Sequence, residues 1–298
     1  AIRAPMMVEP EAATDVFAVA AADSTIPQHN SSFPVDMAMK RNVSVSDGMS
    51  IGARMVGTGR MLSTTTAAET TVANNTWDFM DGWSKQATAN AAVYSWMWKR
   101  AKGFMDVVAY TASSSAAHTV NHSLGVPPEL LISRRRQATM HWYAGQVNNY
   151  LRLNTDGGNL GTPVFNNYTS TTYYVTAGTF DAGDETINYL FASLDGISKV
   201  GSYIGNGSSQ TISCGFSAGS RFILIKRTDD DGDWYFWDSL RGISAADDPS
   251  LSLNTTTEQE NENSVGPHNS GFIVNQVSTG GATNINVSSA TYIFYAIA

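Results

Sequence analysis

Asp229, Asp230, Asp231 and Asp233 crowd around Gly232, and carboxylates clustered at a glycine turn are the raw material of a calcium loop. The EF-hand register would put an aspartate at position 227 and a glutamate at position 238, but Arg227 and Asp238 stand there. The match fails, and a solvated turn is the plainer reading. His118 and His122 are four residues apart, a ligand spacing on a helix. They fall on a strand and the loop after it, where that spacing does not converge, so no metal site is expected. Cys214 is the single cysteine; with no histidine beside it, it reads as a small buried residue rather than a nucleophile.

Facing carboxylates for glycoside hydrolysis can come from any two strands, so spacing alone leaves them open. A nucleophile elbow, a phosphate-binding loop and a dinucleotide fingerprint are all missing from the sequence. No catalytic residue and no cofactor are expected, and the chain reads as a non-enzyme. The remaining chemistry is aromatic. Trp142, Tyr143, Trp234, Tyr235 and Trp237 are the candidate ligand residues, because exposed rings stack on sugar faces or on a partner. The alternative is that they fill a core. Strand alternation puts Trp234 and Phe236 on one face, with Tyr235 and Trp237 on the other, so one pair is expected inside and the other available to a ligand.

The elements that would carry these residues are strands. From Arg221 the chain reads apolar (Phe222 to Ile225), basic (Lys226, Arg227), acidic at the tip and aromatic (Trp234 to Trp237), which is a β-hairpin signal. The same apolar-then-basic pattern occurs 92 positions earlier, at Leu130 to Arg135, with Trp142-Tyr143 in step with Trp234-Tyr235. A weaker version spans Val35 to Arg41, with Asp47 read as the counterpart of Asp238. Each copy opens on one strand (Asp15–Val19, Asp106–Tyr110, Lys199–Tyr203) and closes on an aromatic one (Ala92–Trp98, Thr186–Ala192, Tyr292–Ala298). Short second strands are expected at Thr25-Ile26, Thr119-Val120 and Thr211-Ile212. Leu62, Leu151 and Leu251 open a third shared block, and Gly82-Trp83 and Gly271-Phe272 reopen the sheet. A short helical turn is the expectation for 75–80.

The predicted fold is therefore all-β: three tandem antiparallel β-sandwiches, jelly-roll-like, related by an internal repeat. The expected divisions are an N-terminal arm over 1–14 and repeats over 15–102, 103–195 and 196–298, each with its own small core. Short linkers should keep the sandwiches in contact. The closing strand at the end of the chain suggests that the third copy is whole.

Charged residues make up only 15% of the chain, against roughly 25% in typical soluble domains, so the surface is expected to be neutral and polar, as in a protein kept in one assembly. The formal charge of −8, with Arg134-Arg135-Arg136 as the only basic cluster, argues against nucleic acid. That triplet reads as a solvated strand edge. No apolar run approaches the length of about twenty needed for a membrane helix, so no membrane insertion is expected, and the first residues do not resemble a signal peptide.

Several blocks resemble a family: Phe222–Arg227, Gly232-Asp233-Trp234-Tyr235, Trp237-Asp238, Leu253-Asn254-Thr255, Tyr292–Ala298, Asn121–Glu129 and Asn188–Gly196. They are similar to the repeated, uncharacterised β-domain of structural and tail-fibre proteins from tailed phages of marine bacteria and cyanobacteria. That resemblance covers most of 15–298 and is weakest in the first copy, where methionines replace aliphatics. It implies a place in the virion, in the tail rather than the head, with other virion proteins as partners; the neutral, aromatic-rich surface suggests a homo-oligomer, a trimer, and the aromatic rings suggest contact with a host-surface glycan. A capsid decoration or head-fibre protein and a carbohydrate-binding module or glycosidase are the rival readings.

Overall fold

A computed structural model describes residues 7–85, 90–146 and 149–298. Met6 and the rest of the first six residues of the expected arm lie outside the described residues. Strands dominate, all pairings are antiparallel, and the described helices are two 3-10 turns, Ala13–Asp15 and Arg54–Val56. The all-β expectation therefore holds. Residues 75–80 form no helix; there Trp77 is buried and stacks on Trp83 at 4.7 Å.

Three large sheets share one strand order. The first runs Phe17–Ala21, Val93–Trp98, Met37–Asn42, Ser50–Ala53, Gly59–Leu62 and then Thr70–Thr71. In the second the order is Met105–Thr111, Glu185–Phe191, Leu130–Arg135, Tyr143–Gln146, Leu151–Arg152. The third is Ser198–Ile204, Thr291–Ile297, Phe222–Arg227, Trp234–Asp238, Asp248–Ser252, Glu260–Glu262. The aromatic closing strand of each segment thus lies between its opening strand and its central hairpin. Aromatic and β-branched side chains suit such a strand, because both of its faces are covered.

Alternation assigns those two faces. Along Phe222–Arg227, Phe222 and Leu224 point into one core while Ile223 and Ile225 point into another. The outer faces are covered by small sheets, which completes a sandwich in each segment: His29–Asn30 with Gly82–Trp83; His118–Asn121, Thr172–Val175 and Phe165–Asn166; Gln210–Ser213, Gly271–Val274 and Val265–His268. Glycine opens two of these strands for a steric reason. A Cβ at Gly82 would lie 2.2 Å from the His29 carbonyl oxygen, and one at Gly271 would lie 2.2 Å from that of Ile212. The expected strand at Thr25-Ile26 is a bend instead, and the pairing partner of Gly82-Trp83, His29-Asn30, lies four positions further on.

The inner faces do not make three cores. Met37 and Met39 from the first sheet, Leu130 and Ile132 from the second, and Phe222 and Leu224 from the third belong to one cluster. Those six residues also line a central apolar cavity of about 20 Å³, which with no polar wall stays dry. Ala101 and Leu194, in the two linkers, pack against the same cluster. The linkers close as tight turns, bridged at Ala101–Met105 and Leu194–Ser198 and turning through Gly103 and Gly196 at φ 76° and 71°. The three sheets therefore close around shared apolar surface as the sides of one body.

Pairing register corrects two sequence alignments. Phe222 lies opposite Asp238 and Met37 opposite Ala53, so Ala53, and not Asp47, holds the position of Asp238. Ile51 faces Met61, as Ala144 faces Leu151 and Phe236 faces Leu251. Met61 is thus the buried residue that Leu62 was expected to be, which puts Ser63 where Leu153 and Leu253 stand.

Candidate functional site

Four of the five candidate aromatic residues are buried away from any ligand. Trp142 and Trp237 are fully buried, Trp234 is 1% and Tyr235 8% exposed, and Tyr143 is half-buried against Tyr150, Phe165 and Phe180. The alternation itself is correct: Trp234 and Phe236 enter the shared core, while Tyr235 and Trp237 enter the outer core of the third segment. The expectation of a free face fails because a small sheet covers the side that would have met solvent. No open ring face is left for a sugar to stack on at Trp142, Trp234, Tyr235 or Trp237.

The groups suspected of metal chemistry have structural partners. His118 approaches the Tyr110 hydroxyl at 3.2 Å, and His122 approaches the Thr169 carbonyl at 3.2 Å and accepts from the Leu124 amide. At the acidic tip, Asp229 binds Arg227 at 3.0 Å and Asp233 accepts from the Asn254 amide at 2.6 Å. Burial pushes the Cys214 thiol up to about 12, so it stays protonated and inert. Among the described residues there is no group of three or more histidines, cysteines or acids placed to hold a metal ion.

What the sequence missed is a set of polar seams between the sheets. Met37, Leu130 and Phe222 occupy matching positions in the register, opposite Trp98, Phe191 and Ile297 respectively. Four residues on from each stands a cation: Arg41, Arg134 and Lys226, exposed by 1%, 0% and 0%. None has a carboxylate in a salt bridge among the described residues. Each donates instead to carbonyls of a neighbouring segment: Arg41 to Ser252, Thr255 and Thr257, Arg134 to Ala67, and Lys226 to Asp156 at 2.7 Å. First sheet thus holds third, second holds first, and third holds second.

The indoles follow the same cycle. Trp142 Nε1 donates to the Leu62 carbonyl at 2.9 Å and Trp234 Nε1 to the Arg152 carbonyl at 3.0 Å. In the first sheet the register puts Met49 where these tryptophans stand, and Met49 has no donor to offer. The carbonyl left over, Ser252, is taken by Arg41 at 3.1 Å. A buried carbonyl without a partner costs roughly 1–3 kcal/mol, so the arginine offsets what the methionine lacks.

Burying these cations away from water disfavours the charged form. The Lys226 amine is driven down to about 8 despite the opposing pull of Asp156, Asp233 and Asp231, and the Arg134 guanidinium falls to about 10, with Arg135 adding to the effect. The expectation that Arg134-Arg135-Arg136 form a solvated edge is corrected. Arg134 lies on the inner face of an interior strand, Arg135 binds Asp184 at 3.1 Å, and Arg136 spans Glu69 at 2.8 Å and Glu185 at 3.0 Å.

One buried histidine makes stability pH-dependent. His29 is fully buried, stacks on Trp83, lies 3.3 Å from the Ala20 carbonyl through Nδ1, and has no partner at Nε2. Burial, with the Lys40 charge adding to it, pushes the imidazole down from 6.5 to about 3. Between those two values the unfolded chain binds a proton that the folded chain refuses, so stability present above pH 6.5 is lost on acidification. Urea unfolding at pH 7 and pH 5 should show the protein losing about 2 kcal/mol more than its His29→Gln variant. Equal losses would mean that His29 is protonated in the folded state.

The family comparison treats the three sheets as one unit. No curated protein and no solved structure matches the chain. Residues 28–298 match the profile of a domain of unknown function, DUF7483, a span that runs through strands of all three large sheets and leaves out only the first strand of the first sheet, Phe17–Ala21. By that match, the chain belongs to the DUF7483 family.

Proposed function

We propose that the protein is a non-enzymatic structural component of a tailed-phage particle, placed in the tail or its fibres, where it contacts other virion proteins and the host surface. The observation that supports this most is how its polar chemistry is used. The buried cations and indoles tie one sheet to the next, and the aromatic rings fill cores, which suits a part that must keep its shape under load. The resemblance of the hairpin and closing-strand blocks to phage structural proteins supplies the setting. The closed ring of three sheets gives one chain the threefold frame that a homotrimer would otherwise have to supply, so further copies or other virion proteins would dock on its rim.

The deciding experiment uses purified particles. An antibody against the chain should label intact virions at the tail, and a map of the particle should contain the three-sheet body there. Labelling at the capsid surface would move the protein to a decoration or head-fibre role. Absence of the chain from purified particles would refute the proposal.

A further inference from the structure

The first sheet carries a concentration of positive charge that the matching positions of its siblings lack. A cavity of about 280 Å³ opens beside its central hairpin, lined by Lys40, Arg41, Asn42, Asp47 and Arg60 among others. Small-ligand sites run from about 300 Å³ upward, so the space takes a single sugar or a small anion. Three cations face one carboxylate, and Asp47 is itself engaged, accepting from the Gly48 amide at 2.8 Å. Nothing in the fold requires this excess of positive charge. The register that equates Arg41, Arg134 and Lys226 puts neutral Ser133 and Ile225 where Lys40 stands, and Tyr150 and Ser250 where Arg60 stands.

The cations are also short of partners. Arg41 is 1% exposed and donates its terminal NH groups to the Ser252, Thr255 and Thr257 carbonyls, while its Nε is buried without a hydrogen bond; Arg60 Nε is in the same condition. The Lys40 ammonium lies over the Trp83 ring at 5.2 Å and makes no hydrogen bond or ion pair among the described residues. Burial and the nearby Arg60 charge both push the Lys40 amine down. Like charges held together behind a partly closed wall, with donors left over, are stabilised by an anion that accepts from them.

We propose that this pocket binds an oxyanion, a sulfate, phosphate or carboxylate, either free or as a substituent on a sugar, with Lys40 and Arg60 as the ligating side chains and Arg41 as the charged floor. Guanidinium and ammonium groups suit this ligand because its oxygens accept several charge-assisted hydrogen bonds at once. The site is separate from the aromatic positions and stands whether or not the protein belongs to a virion.

The test is calorimetric titration of the full chain with sodium sulfate, sodium phosphate and a monosaccharide sulfate, at ionic strength held constant with chloride. One site per chain is expected, with a dissociation constant on the order of 1 mM or tighter. Lys40→Met and Arg60→Gln should each weaken binding by about tenfold or more, while Arg227→Gln, which removes a cation outside the pocket, should leave it unchanged. Thermal melts of each variant without ligand check folding, and Arg60→Gln, at a half-buried position, is the safer of the two. Tighter binding of the sugar sulfate than of inorganic sulfate assigns the pocket to a substituted sugar; equal binding assigns it to the free anion. Weak heats shared by all variants, or none up to about 10 mM probe, would overturn the proposal.

Discussion

Replacing Trp234 with alanine is expected to lower the unfolding free energy by about 3–5 kcal/mol, and the loss should reach beyond the third segment. Trp234 is 1% exposed, belongs to the shared core, and donates to the Arg152 carbonyl of the second segment. Its removal opens a cavity where sheets meet and leaves that carbonyl unpaired. Trp237 is equally buried but belongs to the outer core of the third segment. Its alanine variant should cost a similar amount with a local signature. Hydrogen exchange separates the two: Trp234→Ala should lower amide protection in both 103–195 and 196–298, Trp237→Ala mainly in the latter. Protection lost only within 196–298 for both variants would mean that each segment is stabilised independently, contrary to a shared core.

The second large effect is expected at Asp238. Its carboxylate is fully buried and accepts from Trp96 Nε1 at 2.9 Å, from Arg241 Nε at 2.5 Å and from the Leu240 and Arg241 amides. It therefore joins the third sheet to the first. Arg241, with its side chain 2% exposed, lies over Trp96 and Phe236 at 5.3 and 5.4 Å. Asp238→Asn keeps the volume but removes the charge, leaving a guanidinium buried without its counter-ion. Breaking a buried pair from one side costs about 3–5 kcal/mol. Arg241→Met should be costly for the mirror reason, while Asp238→Asn with Arg241→Met should recover much of the loss, because neither charge is then stranded. Denaturant unfolding of the four proteins gives the coupling directly. A single variant within about 1 kcal/mol of the parent would show that solvent reaches the pair.

A sheet position is legible in sequence when the signal is local. The hairpin from Phe222 to Asp238 announces itself through an apolar run, an acidic glycine turn and an aromatic run, and its register follows from alternation. The closing strands are read just as well, since Thr186–Phe191 and Tyr292–Ile297 are rich in β-branched and aromatic residues and contain no glycine or proline. The first segment reads less clearly. Methionine has weak strand preference, and so the alignment slipped at Leu62 and at Asp47, where only pairing across the sheet reveals the match to Met61 and Ala53.

The amino-acid order by itself determined that this protein is built of antiparallel strands, where its hairpins turn, and which side chains share a face. Alternation carries that information within a few residues. It does not say what covers each face, because the covering element is far away along the chain: Trp96 meets Asp238 across 142 positions and Arg41 meets Thr257 across 216. Only the tertiary structure decided that both faces of the large sheets are covered, that candidate ligand rings are core, and that Arg134 crosses a seam while Lys40 and Arg60 border a cavity. Burial depends on the summed packing of segments that no local pattern relates, and a cation's role depends on whether its nearest neighbour is water, a carbonyl or another cation.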